Sequence, residues 1–359
     1  MAGEAAPTTD RQRQLRRFDT IRNRLWCRAD ERVLVVRHPD GEPGFHDQFL
    51  RWLERNFPAL RAHLELALLP CPDVDLARVR LLVPWLQDPV EAWSPAALDQ
   101  ARLLVDRCRA RGIPVVNDPA RLANAGKRET AERLAAIGIR TPRTLPVDPD
   151  RPDAVRAALP GALLVREGRK HGAPSLLVAP DEAVAAVALR GFAEPIAVEF
   201  VDTRGPDRLI RKYRCLLAGD HAVAVHLLAS RQWEVRGPSK LTTPELLAEE
   251  AAHVATDDGN AALFRAARRA LDLDLVAFDY GYLPDGRVVV WEANAYPLIR
   301  FGPSAPHLAY RDAPVHRSFA AMIGLYLDRA GLPVPRAVDV LRTYGAAETA
   351  VELARLVVP

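Results

Sequence analysis

The chain has 359 residues, 49% of them hydrophobic, enough for two or three domains each with its own core. Its 49 basic and 46 acidic residues leave a net charge of +3, too small to imply a nucleic-acid partner, and none is expected. The first ten residues hold an acid and no apolar run, and no stretch of about 18 apolar residues follows, so the reading is a cytoplasmic protein with no membrane partner. Cys27, Cys71, Cys108 and Cys215 are scattered, with no Cys-x-x-Cys pair, and read as buried free thiols.

Residues 1–15 read as a disordered tail, and Arg11, Arg13, Arg16 and Arg17 as the solvated face of a first helix. Arg32–Arg37 and Val79–Pro84 have the short apolar pattern of buried strands, and residues 45–57 have helical spacing. Ser94-Pro95 predicts a helix start, Ser as N-cap and Pro at the first position, running to Arg111-Gly112 before a strand over Ile113–Asn117. Strands alternating with helices imply a small parallel sheet, and the absence of a Gly-x-Gly-x-x-Gly loop argues against a dinucleotide-binding domain. Two helical segments then end at Gly138-Ile-Arg-Thr-Pro142, an abrupt turn into extended chain.

Ala162–Arg166 and Ser175–Val178 read as strands flanking a basic loop, Glu167 to Pro174, and Pro195–Val201 as a strand carrying Glu199. Arg208–Leu217 and His221–Ala229 read as a hairpin across Ala218-Gly219-Asp220. Helices are predicted over Thr243–Ala251, Gly259–Leu271, Val315–Ala330 and Ala346–Leu356.

The most informative segment is the hairpin from Leu275 to Asn294. Glu292 and Asn294, two apart on a strand, share a face, so a carboxylate and an amide point the same way. A two-residue turn at Pro284-Asp285 would set Asp279 opposite Val290, diagonal to Glu292 and on its face. A three-residue turn would flip Asp279 away unless a bulge restored the register. Carboxylate and amide oxygens are the hard donors that Mg²⁺ prefers, and such sites complete the octahedron with water and substrate phosphates.

This order of elements resembles the ATP-grasp superfamily of carboxylate-amine ligases, nearest to the branch of glutathione synthetase and the ribosomal-protein glutamate ligases. The matching motifs are Lys127 with Gly138-Ile-Arg-Thr-Pro142, Arg214-Cys-Leu-Leu-Ala-Gly219, Phe278-Asp279, and Trp291-Glu-Ala-Asn294-Ala-Tyr-Pro297, and coverage runs from Arg32 to Phe301. The resemblance implies an α/β chain, α+β in its later part: a parallel-sheet N-terminal domain over residues 16–120, a lid subdomain over 121–200, a metal-binding subdomain over 201–332 that clasps ATP with the lid, and a helical tail over 333–359.

The resemblance further implies that Lys127, Arg166 and Lys170 contact ATP phosphates, that Glu199, Phe200 and Val201 form the strand on which adenine bonds, and that Asp207 is a candidate for the ribose. Arg214, with Lys212 beside it, would face the transferred phosphoryl group, and Asp279, Glu292 and Asn294 would ligate two Mg²⁺ ions. Arg211 alternates to the opposite face from Lys212 and Arg214. Two departures stand out: Arg166 replaces the usual strand lysine, and the loop that follows is poor in glycine. The implied activity is ADP-forming ligation of a carboxylate, by way of an acyl phosphate, to an amine on an amino acid, peptide or small metabolite. The rivals are a kinase that stops at phosphoryl transfer and a nucleotide-binding regulator without turnover. A homodimer is compatible with this reading.

Overall fold

The computed structural model describes residues 30–38, 44–71, 74–87, 89–169, 175–184, 192–302 and 305–343. The chain divides into two units, Met1–Pro119 with Tyr326–Pro333, and Ala120–Leu325 with Val334–Pro359. Cys27, the arginine cluster at 11–17, Lys170 and the helix expected over Ala346–Leu356 lie outside the described residues.

In the first unit, β1 (Arg32–Arg37), β2 (Leu64–Leu68) and β3 (Val79–Trp85) form a parallel sheet in the order β2-β1-β3. Val33 to Val36 are all buried, the continuous run that a strand covered on both faces requires. β2 is missing from the predicted strands because its five residues include Glu65, which pairs with Arg32 of β1 at 2.5 Å. Helix α1 spans Gly44–Asn56, and α2 spans Pro95–Arg109, burying Ala97, Leu98, Ala101, Leu104, Val105 and Cys108 on one stripe.

Two expectations for this unit are corrected. Ser94 makes no side-chain cap; its backbone N–H instead closes the preceding turn on Val90 O at 2.7 Å, and it is buried there. Ile113–Asn117 is not a strand but a single parallel bridge between Val115 and Leu82. Pro114 lacks the N–H a ladder needs, and Asn117 turns the chain with φ 54.

The second unit holds two antiparallel four-stranded sheets. The smaller has the order β4-β7-β5-β6, from β4 (Thr144–Pro146), β5 (Leu163–Glu167), β6 (Ser175–Val178) and β7 (Pro195–Glu199). Leu163, Val165, Val178 and Ala197 fill one of its faces together with Val147, Val155, Leu159 and Val184. The larger has the order β11-β10-β8-β9, from β8 (Ile210–Ala218), β9 (His221–Ser230), β10 (Leu275–Tyr282) and β11 (Val288–Asn294). Helix α3 (Lys127–Ala136) ends at Gly138, whose φ of 78 makes the predicted turn into extended chain.

Helices α4 (Pro244–Ala255) and α5 (Ala261–Leu271) belong to this unit as well, as do α6 (Asp312–Ala330) up to Leu325 and α7 (Arg336–Thr343). Phe264 of α5 stacks on Phe278 at 5.4 Å and tilts against Tyr280 at 4.8 Å, and Tyr280 stacks on Tyr213 at 5.2 Å. The Tyr280 hydroxyl donates to buried Asp258 at 2.7 Å. One face of the larger sheet is thereby fixed by an aromatic layer, leaving the alternate residues of the same strands for the other face. A parallel N-terminal sheet followed by α+β structure is the fold class the sequence led us to expect. Among the described residues no helix is long and apolar enough to cross a membrane.

Candidate functional site

The β10–β11 turn settles which register the hairpin takes. Leu283 N–H donates to Arg287 O at 2.8 Å around Pro284, Asp285 and Gly286, so the turn has three residues, with Gly286 at φ 81. Strict alternation from that turn sets Asp279 against Trp291. A bulge between Asp279 and Tyr280 absorbs Trp291 instead: Tyr280 pairs with Val290, and Asp279 pairs with Glu292. The indole of Trp291 lies over Gly281, where an added Cβ would stand 2.5 Å from Cη2.

The register then carries across the whole sheet. Glu292 is opposite Asp279, Asp279 opposite Arg214, and Arg214 opposite His226, a row of four on β11, β10, β8 and β9. Directly opposed residues share a face, and Asn294, two beyond Glu292, joins it. Arg214 donates from Nε and Nη2 to the two Asp279 oxygens at 2.6 and 2.9 Å, and Lys212 Nζ lies 3.4 Å from the same carboxylate. Lys127, at the start of α3 and 5% exposed, places Nζ 3.8 Å from Glu292 Oε1 and donates to Gly168 O at 3.3 Å. Burial pushes the Asp279 carboxyl up, but Arg214 and Lys212 outweigh it and bring it down to about 2. The Asn294 Oδ1 accepts the Tyr296 N–H at 2.9 Å.

Asp279, Glu292 and Asn294 supply oxygen donors only, with the two carboxylates opposed on neighbouring strands, a set that suits a hard divalent cation such as Mg²⁺. Among the described residues no cluster of three His, Cys, Asp or Glu side chains could hold a metal ion, and this row brings two acids and an amide. Lys127, Lys212 and Arg214 against Asp279 and Glu292 leave one positive charge in excess. That balance favours an anionic group over a cationic one.

The other expected residues that are described have their recorded partners outside the row. The Glu199 carboxylate accepts from Arg140 Nη2 at 2.7 Å and from the Arg143 N–H at 2.9 Å, so it fastens its strand to the 140–143 segment. Phe200 N–H bonds Ala162 O at 3.0 Å, and Val201 follows it at the end of β7. Asp207 is held by Arg211 at 3.1 and 2.8 Å, and Arg211 also pairs with Glu249, on the side of β8 away from Lys212 and Arg214. Arg166 is opposite Ser175 and Ile196, and its Nε is buried without a hydrogen-bond partner. A cavity of about 440 Å³ beside the first turn of α3 is lined by Gly126, Arg128, Gly168, Arg169, Glu194 and Ile196 among others.

His226 was not anticipated. Counting back from the Ala218-Gly219-Asp220 turn puts Val225 opposite Arg214, but a bulge between Arg214 and Cys215 moves His226 there. Burial, with Arg214 adding to it, holds the imidazole well below its ordinary value, and its Nε2 is buried with no hydrogen-bond partner. The register shift leaves no mark in the alternation of apolar residues, so only the paired strands disclose it.

The chain has the ATP-grasp fold. It aligns with the VanG D-Ala:D-Ser ligase of Enterococcus faecalis at a TM-score of 0.50 and 14% identity, over 84% of this chain and 99% of that one. The ATP-grasp ligase PsnB complexed with minimal precursor aligns at a TM-score of 0.49 and 18% identity, over 79% of this chain and 99% of its own. A RimK domain ATP-grasp protein from Sphaerobacter thermophilus aligns at 0.49 and 17%, over 82% and 99%. No protein-family model and no curated protein matches the sequence.

Proposed function

We propose that the chain is an ATP- and Mg²⁺-dependent ligase that joins a carboxylate to an amine or similar nucleophile on an amino acid, peptide or small metabolite. The observation that carries the reading is the row Glu292, Asp279, Arg214, with Lys127 and Lys212 beside it, on one face of the larger sheet. The fold shared with the D-Ala:D-Ser ligase supports the same class of chemistry. In the proposed reaction a substrate carboxylate oxygen attacks the γ-phosphorus of ATP, the bond to the β-phosphate oxygen breaks, and ADP leaves. The nucleophile then attacks the acyl carbon, inorganic phosphate departs with the C–O electron pair, and the nucleophile gives up its proton.

Phosphoryl transfer asks little covalent work of a protein, so positioning and charge carry the catalysis. Lys127, Lys212 and Arg214 form the cationic clamp, and Arg214 is oriented by the carboxylate it grips. Asp279, Glu292 and Asn294 are the side chains that would hold Mg²⁺, which when bound neutralises phosphate charge. Lys170, Arg166, Glu199, Phe200, Val201 and Asp207 complete the proposed nucleotide contacts.

The test is a screen of ADP release against mixtures of amino acids, short peptides and hydroxy acids, followed by hydroxylamine trapping. Hydroxamate formation with an acid from the active mixture is the expected result. ADP release without hydroxamate identifies a kinase instead, and ATP binding without ADP release across the panel identifies a regulator.

A further inference from the structure

We propose that Glu167 is a positioning residue for the nucleotide: by fixing the root of the β5–β7 connection, it sets Lys127 against Glu292. The inference rests on the nucleotide reading above.

Glu167 is the last residue of β5, on the face shared by Leu163 and Val165, and only 8% exposed. Among the described residues its carboxylate meets backbone N–H groups and no cation. Oε1 accepts from Gly168 at 3.1 Å and from Glu194 at 3.1 Å, and Oε2 accepts from Ala193 at 2.7 Å and from Glu194 at 3.3 Å. A buried carboxylate is expensive to desolvate, and an apolar residue would fill this edge of the core at less cost. What the carboxylate adds is orientation, because it grips the chain where it leaves β5 and where it returns to β7.

The next peptide carries that orientation onward. Gly168 N–H also bonds Glu194 O at 2.9 Å, and a Cβ at Gly168 would stand 3.2 Å from that oxygen, so the peptide is tightly confined. Gly168 O then accepts the Lys127 ammonium at 3.3 Å, and Lys127 Nζ lies 3.8 Å from Glu292 Oε1. Lysine is a point charge on a flexible four-carbon stem, so holding it ready for phosphate needs an anchor. The carbonyl holds the ammonium without adding a second negative charge to that of Glu292. Glu167 acts one peptide removed, aiming the carbonyl.

The experiment measures binding of Mg²⁺ with the non-hydrolysable ATP analogue AMPPNP, binding of adenosine, and melting temperature. It compares wild type, Glu167→Gln and Asp153→Asn. Asp153 is the matched control: its carboxylate accepts the Val184 N–H at 2.6 Å in the same subdomain, with no link to Lys127. Glu167→Gln is expected to weaken AMPPNP binding about tenfold, the worth of one charge-assisted hydrogen bond. Adenosine affinity should hold, and Asp153→Asn should melt earlier with AMPPNP affinity intact.

Unchanged AMPPNP binding in Glu167→Gln, an equal loss for adenosine, or an equal loss in Asp153→Asn overturns the inference. Wild-type protein that binds no AMPPNP overturns the nucleotide reading itself. Should Glu167→Gln not fold, Glu167→Asp, which keeps the charge and shortens the reach, is held to the same comparison.

Discussion

Asp279 and Arg214 face each other across β10 and β8 as a registered pair, and the guanidinium takes both carboxylate oxygens, at 2.6 and 2.9 Å. Lys212 lies 3.4 Å from the same acid, so Asp279 answers two cations in a part-buried site. Taking away the acid removes the carboxylate that both cations contact. Asp279→Ala is therefore expected to destabilise the protein by about 3–5 kcal/mol. The double variant Asp279→Ala with Arg214→Met should recover part of that loss. Urea unfolding of the three proteins decides the matter, and a single-variant cost below about 1 kcal/mol, typical of a surface pair, would contradict the burial argument.

Glu292→Gln preserves the shape of its side chain and takes away one anion. The fold should survive, with a melting temperature close to wild type. Mg²⁺-dependent ATP turnover, by contrast, should drop by about a hundredfold or more. The measurement is ADP release as a function of Mg²⁺ concentration, and full retained activity refutes the metal assignment.

Gly281 is the place where backbone packing and site geometry meet. An alanine there puts a methyl group 2.5 Å from the Trp291 ring and 3.1 Å from Arg211 O, so the bulge must shift. We expect Gly281→Ala to cost about 1–3 kcal/mol in denaturant unfolding, as overpacked sites do. Adding Trp291→Leu should return a measurable fraction. If the single variant is neutral, the indole does not hold the bulge.

Glu199 predicts an acid limb of stability. Burial acts to raise its carboxyl, but the Arg140 guanidinium and the Arg143 N–H prevail and hold it below its free value of 4.5. A carboxyl depressed on folding stabilises above that free value, and the contribution fades as pH falls below it. The unfolding free-energy difference between wild type and Glu199→Gln should thus be largest near neutrality and shrink below pH 4.5. A difference that stays constant with pH would show that the ion pair contributes nothing.

Most of the fold was legible because its signals are local. The alternation in β8 puts Arg211 and Arg214 on opposite sides, the three-apart spacing in α2 marks its buried stripe, and Gly138 followed by Pro142 ends α3 as read. The elements that escaped depend on something distant or on a missing donor. β2 hides behind Glu65, whose charge is met by a residue 33 positions away, and Ile113–Asn117 has apolar residues but no N–H at Pro114. In the site, Asp279, Glu292 and Asn294 were visible as a set, with two registers left open. Which register forms is disclosed only by the paired strands, where the bulge at Trp291 sets its indole over Gly281, and the same kind of slip concealed His226.

The three-residue turn and the extra tryptophan give the hairpin an arithmetic of odd and even. Deleting one residue from Pro284–Gly286 would leave Leu283 closing on Arg287 and Glu292 opposite Asp279, whereas deleting one of Val288–Val290 while the bulge persists would bring Ala293 opposite Asp279 instead. Lengthening or trimming the tip outside the Leu283–Arg287 pair would leave the row facing the same way. Natural variants are therefore expected to vary the turn by single residues and to keep the length of Val288–Val290.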